Sequence, residues 1–215
     1  MSWIRKIPYA EATGKLLRLY DRIKGPEGYL DNILTVHGQR PHSLEGHMGL
    51  YKNVLHHREN RTPKWELEML GVYASHLNGC AYCVEHHFEG MRTLLRDDAR
   101  AGAIRTALEG GSLESTALES TAFNAVFTAR EIALLAYTRK LTEAPASVTE
   151  DDVRALQAQG LSEGEVLEVN QVVSYFAYAN RTVLGLGVTT DGDVLGLSPA
   201  DSDDPDNWRH DEAKS

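Results

Sequence analysis

The chain has 215 residues, enough for one large domain or two small ones around a sizeable core. Apolar residues make up 42%, charged residues 25%, and the net charge is −9, an ordinary balance for a soluble globular protein and a poor one for gripping phosphate backbones. The N-terminal MSWIRKIPYAEATGKLL lacks a secretory apolar core and no apolar run nears the roughly 18 residues of a membrane span, so a cytoplasmic protein without nucleic-acid or membrane partners is expected.

Punctuation by Pro and Gly, with helical apolar spacing between, predicts an all-α fold with almost no strand. Helices are expected over 10–24, stopping at Gly25-Pro26, over 42–57 after Pro41, and over 64–78, with Thr62 as N-cap and Pro63 at the first helical position. A fourth runs from Cys80 to Arg96 and a fifth over 98–109, ended by Gly110 and Gly111. One long helix is expected over 115–142, carrying Phe123, Val126, Phe127 and Leu134 and closed by Pro145; the local repeat SLESTALEST marks its start. SVTEDDVRALQAQG begins at Thr149 with acids in its first turn and ends at Gly160, as a capped helix does. The last helix puts Val166, Val169, Val173 and Ala177 on a buried stripe. Residues 1–188 read as a single helical domain, and 189–215 as an acidic tail, exposed or docked on a partner, with Trp208 favouring docking.

Both cysteines fall in NGCAYCVEHHFEG, three residues apart, with His86 and His87 just beyond. The pair reads as a metal clamp, a structural disulfide or a redox centre. A reducing cytosol disfavours the second, and a closed zinc site lacks a second Cys pair, although His86 or His87 with Glu68 could complete a mixed one. On a helix Cys80, Cys83 and His87 share a face beside the apolar stripe Ala81, Val84, Phe88, Met91 and Leu95. Asn78-Gly79 signals a helix end, which places the thiols in the first turn of a new helix. Backbone N–H groups there favour an anion, and such thiols reach pKa values of roughly 3.5–7.5.

A chain reversal at Asn78-Gly79 would put Glu68 roughly 16 Å down one leg and His87 roughly 13 Å down the other, near neighbours across an antiparallel pair. The order that follows is Glu68–His87–Cys83, a carboxylate orienting the histidine that serves the thiol.

Glu68, Cys80, Cys83 and His87 at these spacings resemble the alkylhydroperoxidase D-like branch of the carboxymuconolactone decarboxylase superfamily. ENRTPKWELEMLGVYASHLNGCAYCVEHH is similar to its core motif, and the stretch from LLAYTRKLTEAPAS to YFAYANR to the second half of its peroxidase-related subgroup. The likeness spans residues 30–188. It implies an all-helical, oligomeric thiol peroxidase without cofactor or metal. In it Cys83 attacks hydrogen peroxide or an organic hydroperoxide, Cys80 resolves the sulfenic acid, Glu68 and His87 relay protons, and a thioredoxin-like or lipoyl dithiol is the reductant. Peroxidases of this family carry a histidine where this chain has Tyr82, whose phenol, pKa near 10, is a poor base; His76 and His86 are the available substitutes. A disulfide oxidoreductase without peroxide turnover and a non-catalytic redox-sensing oligomer remain alternatives.

Three further readings follow. Glu165 to Ala177 repeats the Glu68-to-Cys80 interval, and AYAN echoes CAYC, which suggests a duplicated helix pair with Asn180 and Arg181 in structural roles. Apolar residues on several sides of 42–57 fit a helix between subunits or inside the core. Trp65, Phe88 and Met91 would border an organic-peroxide pocket or be core.

Overall fold

The computed structural model describes residues 1–110, 121–199, 204 and 207–211. Its helices are α1 Gly14–Ile23, α2 Asn32–His37, α3 Pro41–Leu55, α4 Lys64–Leu77, α5 Ala81–Leu95, α6 Asp98–Gly110, α7 Thr121–Val126, α8 Ala129–Glu143, α9 Glu150–Ala158 and α10 Glu163–Leu186. Helix α2 has no counterpart among the expected elements: all but one of its six residues are buried, so it shows no apolar–polar alternation to read. Helix α4 starts at Lys64 as expected but has Pro63 rather than Thr62 as N-cap, and the N–H groups of Arg61 and Thr62 donate to Glu168 of α10 at 3.0 and 2.8 Å.

The helix expected over 115–142 is two helices over its described part. Thr128 caps α8 in a reciprocal box with Glu131, and that cap requires the chain to leave helical geometry between Val126 and Ala129. The repeat at 112–121 lies almost wholly outside the described residues. Boxes of the same kind, Thr149 with Asp152 and Ser162 with Glu165, start α9 and α10, and Gly187 ends α10 in the left-handed region at φ 60°. Glu165 and Ala177 lie on this one uninterrupted helix, so the echo of the cysteine motif is not a second hairpin.

Helix α4 is the centre of the molecule, packed against α5, α8 and α10. Every residue from Glu66 to Ser75 is buried, which is why its periodicity is weak. Contact with α10 depends on Gly71, where a β-carbon would fall 2.2 Å from the Phe176 ring. The buried face of α10 is Val169, Val172, Val173, Phe176, Ala179 and Val183, leaving Val166 and Ala177 at its margin. Helix α3 buries Leu44, His47, Met48, Tyr51, Val54 and Leu55 within its own chain.

Described parts of the acidic C-terminal segment pack against the rest of the chain. Leu197, Trp208 and His210 are buried, and Ser198–Pro199 (β1) pairs antiparallel with His210–Asp211 (β2). The Arg22 guanidinium lies 3.9 Å over the Trp208 ring, and a β-carbon on Gly25 would meet the His210 carbonyl at 2.3 Å. Leu197, Trp208 and His210 thus dock the segment on the chain itself, while Asp191, Val194, Leu195 and Arg209 remain exposed.

Alanine at position 71 gains helix propensity but must displace the Phe176 ring, so Gly71→Ala should lower unfolding stability by about 1–3 kcal/mol in urea denaturation. Unchanged or increased stability would show that α4 and α10 have slack between them.

Candidate thiol site

The site is built on the reversal between α4 and α5. Gly79 takes φ 70°, a conformation open to glycine at little cost, and the Cys80 N–H returns to the Ser75 carbonyl at 2.9 Å. Running back along α4, α5 brings His87 to Glu68, and the imidazole Nδ1 donates to Glu68 Oε2 at 2.6 Å. Glu68 is only 2% exposed, and its other oxygen lies 3.6 Å from His56 Nε2, beyond hydrogen-bond length. The Phe176 ring meets the His87 imidazole edge-on with centroids 4.6 Å apart.

Cys80 is the N-cap of α5 and Cys83 occupies its first turn; both thiols are free and buried, with Sγ atoms 3.0 Å apart. Two thiols this close titrate as a pair. The hydrogen bond from Cys83 holds Cys80 below the ordinary thiol range, helped by the Cys83 backbone N–H and the Asn180 amide against the cost of burial. Cys83 is pushed well above that range, by the same hydrogen bond, by burial and by the charge on its neighbour. Only one of the two thiols is therefore acidified, and it is Cys80 rather than Cys83. His87 makes no direct hydrogen bond to either sulfur.

Cys83, not Cys80, faces a cavity with about 40 Å³ of space for water-sized molecules. Glu68, His87, Tyr51, His47 and Tyr175 line it together with Asp31, Tyr82, His86, Gly196 to Ser198 and His210, whose ring stacks on Tyr51 with centroids 6.0 Å apart. Burial keeps His47 and His56 well below the ordinary imidazole value and pushes Tyr51 and Tyr175 well above the ordinary phenol value. Trp65, Phe88 and Met91 lie outside this lining; Phe88 and Met91 are buried core and Trp65 packs beneath Arg100.

Tyr82 is committed elsewhere. Its hydroxyl donates to Asp193 Oδ2 at 2.8 Å, accepts from the Ile33 N–H at 3.3 Å, and is pushed well above 10 by burial. It cannot act as the missing base. His86 faces Asp193 at 3.1 Å rather than the sulfurs, and His76, in the last turn of α4, is not among the cavity-lining residues. With Glu68 and His87 engaged with each other, the mixed site of two thiolates with Glu68 and a histidine is not assembled.

Spacing gave no hint of the polar support from α10. Asn180, fully buried, donates to Ser75 Oγ at 2.9 Å and accepts from Asn78 at 3.0 Å, which aims its amide at the thiols. Its Asn-Arg context had suggested only a structural role. Tyr51, Asp31, Asp193 and His210 were likewise unmarked by any motif.

No protein-family model and no curated protein matches the chain. Solved structures do. An alkylhydroperoxidase D core, described as an uncharacterized peroxidase-related protein from Ralstonia eutropha, superposes with a TM-score of 0.69 at 20% identity, over 87% of this chain and 91% of that one. A peroxidase-related protein from Silicibacter gives 0.62 at 21%, over 76% and 78%. The debrominase Bmp8, bound to 2,3,4-tribromopyrrole, gives 0.62 at 17%, over 88% and 93%. At such identities the likeness establishes the alkylhydroperoxidase D-like helical fold, the fold that the resemblance had implied, and the debrominase shows that this fold hosts more than one activity.

Alkylation by iodoacetamide should begin below the pH of an unperturbed thiol, because the first proton of the pair leaves early. Asn180→Ala should move that onset upward. An onset at the ordinary thiol pH in the wild type would contradict the acidified pair.

Proposed function

We propose that this protein is a thiol peroxidase whose Cys80–Cys83 pair cycles between dithiol and disulfide. The observation that carries the reading is a pair of free thiols in contact, one acidified at a helix N-cap and the other facing a small cavity beside a buried carboxylate–histidine pair.

The charge asymmetry suggests the order of events. Cys80 is the first of the pair to ionise. Transfer of the Cys83 proton across the 3.0 Å contact leaves a thiolate on Cys83, facing the cavity, and a neutral Cys80. The Cys83 thiolate attacks one peroxide oxygen and the O–O bond breaks. The departing oxygen takes a proton from His87, whose cation Glu68 stabilises. Cys80 then attacks the sulfenic sulfur, an S–S bond forms, and water leaves with the Cys80 proton. An external dithiol, thioredoxin-like or lipoyl, returns the pair to its reduced state and is itself oxidised to a disulfide. Assembly into a homo-oligomer and a cytoplasmic location belong to the same reading.

Cavity size favours a small substrate. About 40 Å³ of free space accommodates hydrogen peroxide, while a bulky hydroperoxide needs the segment around Leu197 to move.

In a dithiol-coupled assay, hydrogen peroxide should be turned over faster than cumene hydroperoxide. Cys83→Ser should abolish turnover, Cys80→Ser should stop after one equivalent with a trappable sulfenic acid, and Glu68→Gln should slow the reaction by about 10²-fold. Undiminished turnover in Cys83→Ser would end this reading. Ready disulfide formation without peroxide turnover would replace it with a disulfide oxidoreductase or a sensor.

A further inference from the structure

At the cavity lies a second polar cluster that the thiol chemistry does not use: Asp31 and His86 line the cavity and Asp193 contacts His86 from outside the lining. Asp31 precedes α2, His86 lies on α5, and Asp193 comes from the segment after α10. One ligand atom from each lies within 4.8 Å of the other two, and His86 Nε2 is 3.1 Å from Asp193 Oδ2. Atoms bound to one transition ion at about 2.1 Å stand roughly 3 to 4 Å apart, so small side-chain adjustments would close the set.

Asp31 behaves unlike a structural residue. It occupies the N-cap position of α2, where aspartate normally accepts a backbone N–H, yet it makes no such bond. Asp193 takes the Asn32 N–H instead, at 3.2 Å to each oxygen. Asp31 is 6% exposed and its Oδ1 is buried with no hydrogen-bond partner. Among the described residues the cavity lining contains no Lys or Arg to meet the Asp31 carboxylate, and His210 Nε2 stands 3.8 Å from its Oδ2. A buried carboxylate oxygen without a donor is costly unless a cation supplies the missing contact.

We propose that Asp31, His86 and Asp193 form a binding site for one divalent transition-metal ion. Two carboxylate oxygens and one imidazole nitrogen make a borderline donor set, suited to manganese, iron or zinc over an all-oxygen ion such as magnesium. Water in the cavity completes the coordination. Tyr82, donating to Asp193, is the outer partner that orients this ligand. The ion would share the cavity with Cys83, but its binding does not depend on peroxide turnover.

The test uses the full chain carrying Cys80→Ser and Cys83→Ser, so that thiols cannot bind metal, stripped with a chelator and titrated calorimetrically with Mn²⁺, Zn²⁺ and Mg²⁺. One equivalent of Mn²⁺ or Zn²⁺ should bind, more tightly than Mg²⁺. Asp31→Asn and His86→Gln should each weaken binding by at least about 100-fold, with helicity by circular dichroism unchanged. His42→Gln, at an exposed histidine, should leave it as it was. Should Asn at position 31 disturb the fold, the visible spectrum of bound Co²⁺ in wild-type and His86→Gln backgrounds decides, through loss of the imidazole ligand. Absence of saturable binding, Mg²⁺ binding as tightly as Mn²⁺, or full affinity in the folded Asp31 and His86 variants would overturn the proposal.

Discussion

The hydrogen bond between Glu68 and His87 is the contact around which the rest of the molecule is arranged. A carboxylate on the central helix of a packed core costs several kcal/mol unless it is met by a donor, and removing one member of such a pair typically costs about 3–5 kcal/mol. Meeting that demand requires α5 to run back along α4, which in turn requires a left-handed residue at Gly79 and the close approach of α10 at Gly71. The same reversal leaves Cys80 at the helix N-cap and puts Cys83 one turn before His87. The thiol arrangement and the stability of the hairpin therefore share one cause.

Around this pair the protein packs a buried shell of rings. His47 and His56 are kept uncharged by burial, Tyr51 and Tyr175 are kept protonated, and their rings pack on one another with centroids 4.8 to 6.3 Å apart. In such surroundings charge is concentrated on few atoms, and a helix N-terminus or a single amide has more effect than in water. The hydrogen bond between the two sulfurs is the main cause of their asymmetry, while Asn180 favours the thiolate form of both. The C-terminal segment contributes Leu197 and His210 to the cavity lining, and its Asp193 holds Tyr82 and His86 from outside that lining.

Much of this was legible from local pattern. Thr149 marked the start of α9, Pro41 and Pro63 the approaches to α3 and α4, and the Glu68-to-His87 spacing across Asn78-Gly79 placed the carboxylate by the imidazole. What escaped has physical reasons. Helix α2 is buried on all sides and shows no period. Thr128 interrupts a run whose apolar spacing continues through it. Trp65, Phe88 and Met91 had the character of a pocket, but the cavity opens on the other side of α5, toward Tyr82 and His86.

The sequence by itself determined the helical class, the hairpin and the alignment of Glu68, Cys80, Cys83 and His87, because these follow from helical period and a turn within twenty residues. Only the tertiary structure decided that Cys80 is the acidified thiol, that Tyr82 is tied to Asp193 and that Asp31 has an oxygen without a donor. Those outcomes depend on Asn180, Asp193 and His210, which lie roughly a hundred or more residues from the thiols in the chain. Long-range packing brings them there, and no local spacing encodes it.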